Sequence, residues 1–219
     1  MTPLKITVDL KTPIALGYPW IHFDSLLAHL MVKIELGEDY YRLPAKIPRF
    51  FLSDPRLKKR VALPLKTYKD FYIASVGIVD GEPIVFNYYK KGDFPFPRGK
   101  IRRGSGFFKD FNLKTIYIPA RRVVFYATGE KDEIMRALKH LVAIGKERNI
   151  GFGFVKNVVV EETSGEHGLV KDGLCMRPIP VRYLSYYEDA AWVSYKPPYW
   201  AKETIDLCGV PFTKCELKD

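Results

Sequence analysis

Cysteine is scarce in this 219-residue chain: Cys175, Cys208 and Cys215 are the only three. They form no CxxC pair and are odd in number, so neither a zinc site nor a disulfide framework is expected, and they read as buried or incidental thiols. Histidine is almost as sparse, with His22, His29, His140 and His167. No Ser-His-Asp arrangement, paired metal-ligand motif or Walker-type phosphate loop occurs, so no metal and no cofactor is expected. No apolar run approaches the roughly 20 residues of a membrane-spanning helix. The opening MTPLKITVDLKTPIAL alternates polar and apolar residues and carries no signal-peptide core. These absences point to a cytoplasmic protein with no membrane partner.

Acidic residues are sparse in one stretch in particular. Residues 90–122 hold ten basic side chains (Lys90, Lys91, Arg98, Lys100, Arg102, Arg103, Lys109, Lys114, Arg121 and Arg122) against Asp93 and Asp110. The excess of eight is most of the formal charge of +10, and residues 186–219 run net acidic. Charge concentrated in this way marks an anion-binding surface. Aromatic rings are interleaved with it: Tyr88, Tyr89, Phe94, Phe96, Phe107, Phe108, Phe111 and Tyr117. Cations hold phosphates and flat rings stack on unpaired bases, the usual way single-stranded RNA is held. The plainer alternative is a solvated loop whose rings pack onto the domain.

Leu4, Ile6, Val8 and Leu10 alternate with polar residues, the pattern of a half-buried strand. FDSLLAHLMVKIEL reads as a helix capped by Asp24, with Phe23, Leu26, Leu27, Leu30, Met31 and Ile34 on one face. Residues 43–64 read as irregular. Residues 71–79 and 83–89 read as strands of a hairpin turning at Asp80-Gly81. Residues 123–127 form a strand. Residues 130–148 form a helix, with Ile134, Ala137, Leu138, Leu141 and Ile144 on its inner side and acids in its first turn. Residues 154–161 form the last strand of the set. The order predicts an α+β, ferredoxin-like (RRM-like) βαββαβ domain over residues 1–163, interrupted by a basic insertion at about 90–122. Residues 164–219, aromatic and proline-rich, read as an extension packed on it.

Three glycines, Gly145, Gly151 and Gly153, lie around the C-terminus of the second helix and the strand that follows it. One reading is a helix stop. The other is a backbone that a phosphate or ribose can approach closely, with Lys146 and Arg148 supplying charge. His22 and His29, near Lys33, suit proton transfer in metal-independent RNA cleavage. Such histidines also serve simply to fix loops or contact RNA.

The ordered set PIALGYPWIHFDSLLAHL, GSGFFKDF, FYATGEKDEI, IGKERNIGFGFV and MRPIPV…PPYW resembles the CRISPR-associated RAMP superfamily. Within it, the set is similar to the five-prime-handle-binding cap subunit of type IV effector complexes. The resemblance implies a non-catalytic subunit that holds the five-prime repeat-derived handle of the crRNA and caps a filament of backbone subunits. Carried onto this chain, Gly151, Phe152 and Gly153, with Lys146 and Arg148, would lie beside the handle. Arg98, Lys100, Arg102, Arg103, Lys109 and Lys114, with Arg121 and Arg122 beyond them, would reach RNA and the adjacent backbone subunit. Two other readings stand beside it: a guide-RNA-processing endoribonuclease using His22 or His29, and a general single-stranded RNA-binding protein.

Overall fold

The computed structural model describes residues 1–17, 20–42, 62–90, 104–105 and 109–218. The fold is α+β, with antiparallel sheets and few helices. Strand β1 (Thr2–Leu10) is its centre. The alternation seen in the sequence buries Leu4, Ile6, Val8 and Leu10 and turns the residues between them to the other face. Among the described residues four further short strands precede the next long pairing: β2 (Ile14–Ala15), β3 (Thr67–Tyr68), β4 (Phe71–Tyr72) and β5 (Ile78–Val79). Strand β6 (Ile84–Lys90) pairs along its whole length with β7 (Phe111–Ile118). Strands β8 (Arg122–Gly129) and β9 (Val155–Glu162) flank β1, with Ile6 opposite Phe125 on one side and Val160 on the other. Strand β5 adds to the outer edge of β8, giving the order β5-β8-β1-β9.

Helix α1 (Phe23–Leu36) occupies the span that its periodicity predicts, and Phe23, Leu27 and Leu30 enter the core with β1 and β8. Asp24 does not cap it. The N-cap is His22, and the Asp24 carboxylate is buried in the first turn against Arg177. Helix α2 is shorter than 130–148 and spans Lys131–Leu138 only. The inner positions Ile134, Ala137, Leu138, Leu141 and Ile144 are all buried, but the last two are not helical. After Leu138 the backbone finds better partners outside a helix. Val142 accepts from the Val155 N–H (2.9 Å), Ile144 donates to Gly153 (2.9 Å) and Lys146 donates to Ala15 (2.8 Å).

The expected hairpin of residues 71–79 and 83–89 is also corrected. Its first half splits between β4, which pairs with β3, and β5, which pairs with β8. Its second half is β6, which turns instead to β7. The basic stretch therefore includes strands: Lys114 lies on β7 opposite Asn87, and Arg122 opens β8 opposite Asp9. The β6–β7 ribbon joins the body through β2, where Ile14 meets Ile118 and Ala15 meets Tyr117.

The remaining strands are β10 (Val170–Lys171), β11 (Leu174–Cys175), β12 (Ile179–Pro180), β13 (Leu184–Tyr187), β14 (Ala190–Ser194), β15 (Ile205–Gly209) and β16 (Cys215–Leu217). They form small antiparallel sheets around a second core of Leu169, Ile179, Leu184 and Tyr195. Phe71 and Ile73 are shared into that core from the first part of the chain. Here the cysteines depart from expectation: Cys175 and Cys215 are joined as a disulfide, because β11 and β16 are neighbours held by Cys215 donating to Gly173. Cys208 is the free thiol, and burial pushes it up to about 12.

Candidate nucleic-acid interface

Helix α1, the 139–153 turn and the C-terminal strands enclose a groove of about 1660 Å³. Along α1 it is lined by His22, Ser25, Leu26, His29, Leu30 and Lys33, one stripe at helical spacing. The turn contributes Lys146, Glu147 and Arg148, and the C-terminal region contributes Trp192, Tyr199 and Trp200. The groove therefore unites both candidate histidines with two of the candidate cations, although they come from separate parts of the sequence.

The turn is built on left-handed backbone. Gly145, Glu147, Gly151 and Gly153 have φ of 91°, 57°, 104° and 68°, and Arg148–Ile150 form a single 3-10 turn between them. The glycines are not equivalent. A side chain on Gly153 would overlap the Ile144 carbonyl, and one on Gly145 would press on Ala15 and Ile14. Those two positions are demanded by the protein's own packing. Around Gly151 nothing lies within 4 Å of where a Cβ would stand. It is the one glycine of the three whose open face a ligand can use. Phe152 does not project freely, because its ring lies against Tyr117 of β7 at 5.7 Å and ties the turn to the ribbon.

Lys146 and Arg148 are exposed, and Lys146 passes over Gly17. Lys146 pairs at 3.6 Å with Glu147, the one carboxylate among the described residues that line the groove. Lys109, Lys114, Arg121 and Arg122 are exposed but lie outside the groove lining. Arg98, Lys100, Arg102 and Arg103 lie outside the described residues.

His22 stacks on Tyr199 with ring centroids 3.7 Å apart. Burial lowers its pKa to about 4, with the neighbouring Asp24 opposing and Arg177 assisting. His29 is also lowered, by burial first and then by Arg148 and Lys33. Its Nδ1 meets the Tyr40 hydroxyl at 3.2 Å. His140 is exposed in the turn after α2, and His167 sits edge-on to Tyr126. Among the described residues no cluster of His, Cys, Asp or Glu is placed to hold a metal, and no helix is long and apolar enough to cross a membrane.

Sequence reasoning missed what fixes the other side of the groove. Arg177, fully buried, donates to the Ala74 carbonyl (3.0 Å), Asp24 (3.2 Å), the Tyr199 hydroxyl (3.0 Å) and the carbonyls of Tyr72 and Tyr195. Its guanidinium also lies 5.0 Å from the Phe71 ring centre. Tyr199 donates to Asp24 in turn, at 2.8 and 2.9 Å to its two oxygens. Burial opposes the Arg177 charge, but Tyr199 and Asp24 outweigh it and hold the group further toward its charged form. The motifs MRPIPV and PPYW were visible in the sequence, yet nothing there pairs the arginine of one with the tyrosine of the other.

This is an α+β protein whose groove couples a glycine turn, exposed cations and aromatic rings, a combination suited to a polyanion. The family model of CRISPR type IV associated protein Csf3 matches residues 85–211, and the chain belongs to that family. It is thus a CRISPR type IV associated protein. No curated protein matches it. Among solved structures, it is similar to a chain in the cryo-EM structure of the type III-B Cmr-beta complex bound to cognate target RNA, with 11% identity and a TM-score of 0.36. The match covers 74% of this chain and spans 61% of that one.

Proposed function

We propose that this chain is a non-catalytic crRNA-binding subunit of a type IV CRISPR ribonucleoprotein, holding the five-prime handle and capping the backbone filament. The carrying observation is that Lys33, Lys146 and Arg148 line one groove, with the open backbone of Gly151 three residues beyond Arg148, just outside that lining. Three cations with one carboxylate suit successive phosphates, and the bare Gly151 backbone admits a sugar-phosphate chain closely. The strand order β5-β8-β1-β9, with α1 and α2 sharing its core, supports a ferredoxin-like reading of residues 1–163. Residues 164–219 are then an extension sharing Phe71 and Ile73. The exposed Val85, Tyr89, Leu113 and Ile116 of the β6–β7 ribbon suit contact with the neighbouring backbone subunit.

The endoribonuclease reading is disfavoured by electrostatics. Proton transfer at neutral pH needs a group that titrates there, and both candidate histidines, His22 and His29, are lowered away from it. A salt-dependent binding titration tests the proposal, using precursor and handle-bearing guide RNA. Replacing Lys33, Lys146 and Arg148 with alanine should weaken binding and flatten the log–log salt slope by about 2, since each single-strand phosphate contact contributes about 0.7. The RNA ends should stay unchanged. Equal affinity for RNA lacking the handle would favour a general RNA binder, and cleavage of the precursor would favour the nuclease.

A further inference from the structure

The chain has three tryptophans, and all of them, Trp20, Trp192 and Trp200, line the groove. Two are strongly exposed for such large rings, Trp192 at 72% and Trp200 at 42%. Tryptophan is costly to leave in water, and two of them at one groove are an invitation to a flat partner. Their supports are rigid. Trp192 is held in β14 opposite Leu207 of β15. Trp200 follows Tyr199, which Asp24 and Arg177 fix and His22 covers.

The groove also has a direction. From His22 to Lys33 the stripe on α1 runs eleven residues, about 16 Å at 1.5 Å per residue. Tyr199 marks the His22 end by its stacking. Arg148 and Lys33 mark the other, because both act on the pKa of His29. Trp200, next to Tyr199 in the chain, belongs with the first end, and Lys33 and Arg148 with the second.

We propose that Trp192 and Trp200 offer a stacking site for an unpaired nucleobase, on the same strand whose phosphates Lys33, Lys146 and Arg148 hold. This rests on the RNA-binding reading above and adds where a base goes. A peptide would also find apolar surface here, but the excess of cations favours a polyanion.

The test is a titration of the full chain with single-stranded oligoadenylate and with handle RNA, followed by tryptophan emission. Binding should quench the emission. Trp192→Ala and Trp200→Ala should each weaken binding by about 5- to 150-fold, as loss of one stacked base does, with an unchanged salt slope. Trp192→Tyr should restore most of the affinity, and the exposure of Trp192 makes its variants safe for folding. Full affinity in both alanine variants with unquenched emission would overturn the stacking site and leave RNA binding intact. No binding by the unsubstituted chain would overturn both readings. Quenching by the purified backbone subunit without RNA would make the groove a protein interface and would overturn the stacking site.

Discussion

One side of the groove, the start of α1 with Tyr199 and Trp200, hangs on a guanidinium that sees no solvent. The other side, the 139–153 turn, hangs on backbone hydrogen bonds and turns Lys146 and Arg148 outward. Both carry arginine and both carry glycine or aromatic motifs in the sequence, yet the charges do opposite work. Arg177 is consumed by its own protein, bonded to Asp24, Tyr199 and three carbonyls. Arg148 is exposed at a surface and shapes only the field around His29. A charge count cannot separate these two. Burial separates them at once, and it predicts which substitutions should unfold the protein and which should cost only ligand.

The largest effect should come from breaking the buried pair. Asp24→Ala leaves Arg177 charged, buried and short of a partner, which costs about 3–5 kcal/mol. At this chain length that amounts to a fall in Tm on the order of 10 °C. Thermal melts monitored by circular dichroism would measure it. A change below about 1 kcal/mol would mean that the wall is not locked by this pair.

The next effect lies on the same wall and depends on pH. His22 binds a proton at about 4 in the fold against 6.5 in an unfolded chain, because burial disfavours the charged ring. Between those values the unfolded chain takes up a proton that the folded chain refuses. Stability from this group is therefore complete above about pH 6.5 and is lost as pH falls toward 4, by about 3 kcal/mol in all. Denaturant melts of the unsubstituted chain and of His22→Gln, taken from pH 7 to 4.5, should diverge in slope. Parallel curves would show that His22 is solvated.

Much of the body was legible because its signals were local. The alternation of β1 and the apolar stripe of α1 each require only their own residues, and both elements lie where the pattern puts them. The second helix was over-extended because Leu141 and Ile144 keep the 3.6-residue period while being buried by other means, through Phe154, Gly153 and Ala15. The hairpin at Asp80-Gly81 failed because its turn residues say nothing of which strand each half will meet. The β12–β15 and β13–β16 pairings and the disulfide depend on partners more than a dozen residues away. Of the groove lining, Lys146 and Arg148 were readable from spacing, whereas the tryptophans, and Arg177 behind them, needed the fold.

The smallest effect on folding is the sharpest for function, and it sets the two glycines of the turn against each other. Gly151 and Gly153 share a left-handed backbone, so alanine at either pays about 1–2 kcal/mol for that conformation. At Gly153 the new methyl group must also displace the Ile144 carbonyl, next to the N–H by which Ile144 is bonded to the Gly153 carbonyl. At Gly151 the methyl group meets nothing of the protein. Gly153→Ala should therefore lose more than 2 kcal/mol in a urea melt, and any loss of RNA binding would follow from unfolding. Gly151→Ala should lose no more than about 2 kcal/mol and still bind guide RNA more weakly, because its methyl group fills space left for the ligand. If Gly151→Ala binds RNA as tightly as the unsubstituted chain, the glycine there serves the turn alone, and the phosphate path must run along Lys33 and Lys146 without touching that backbone.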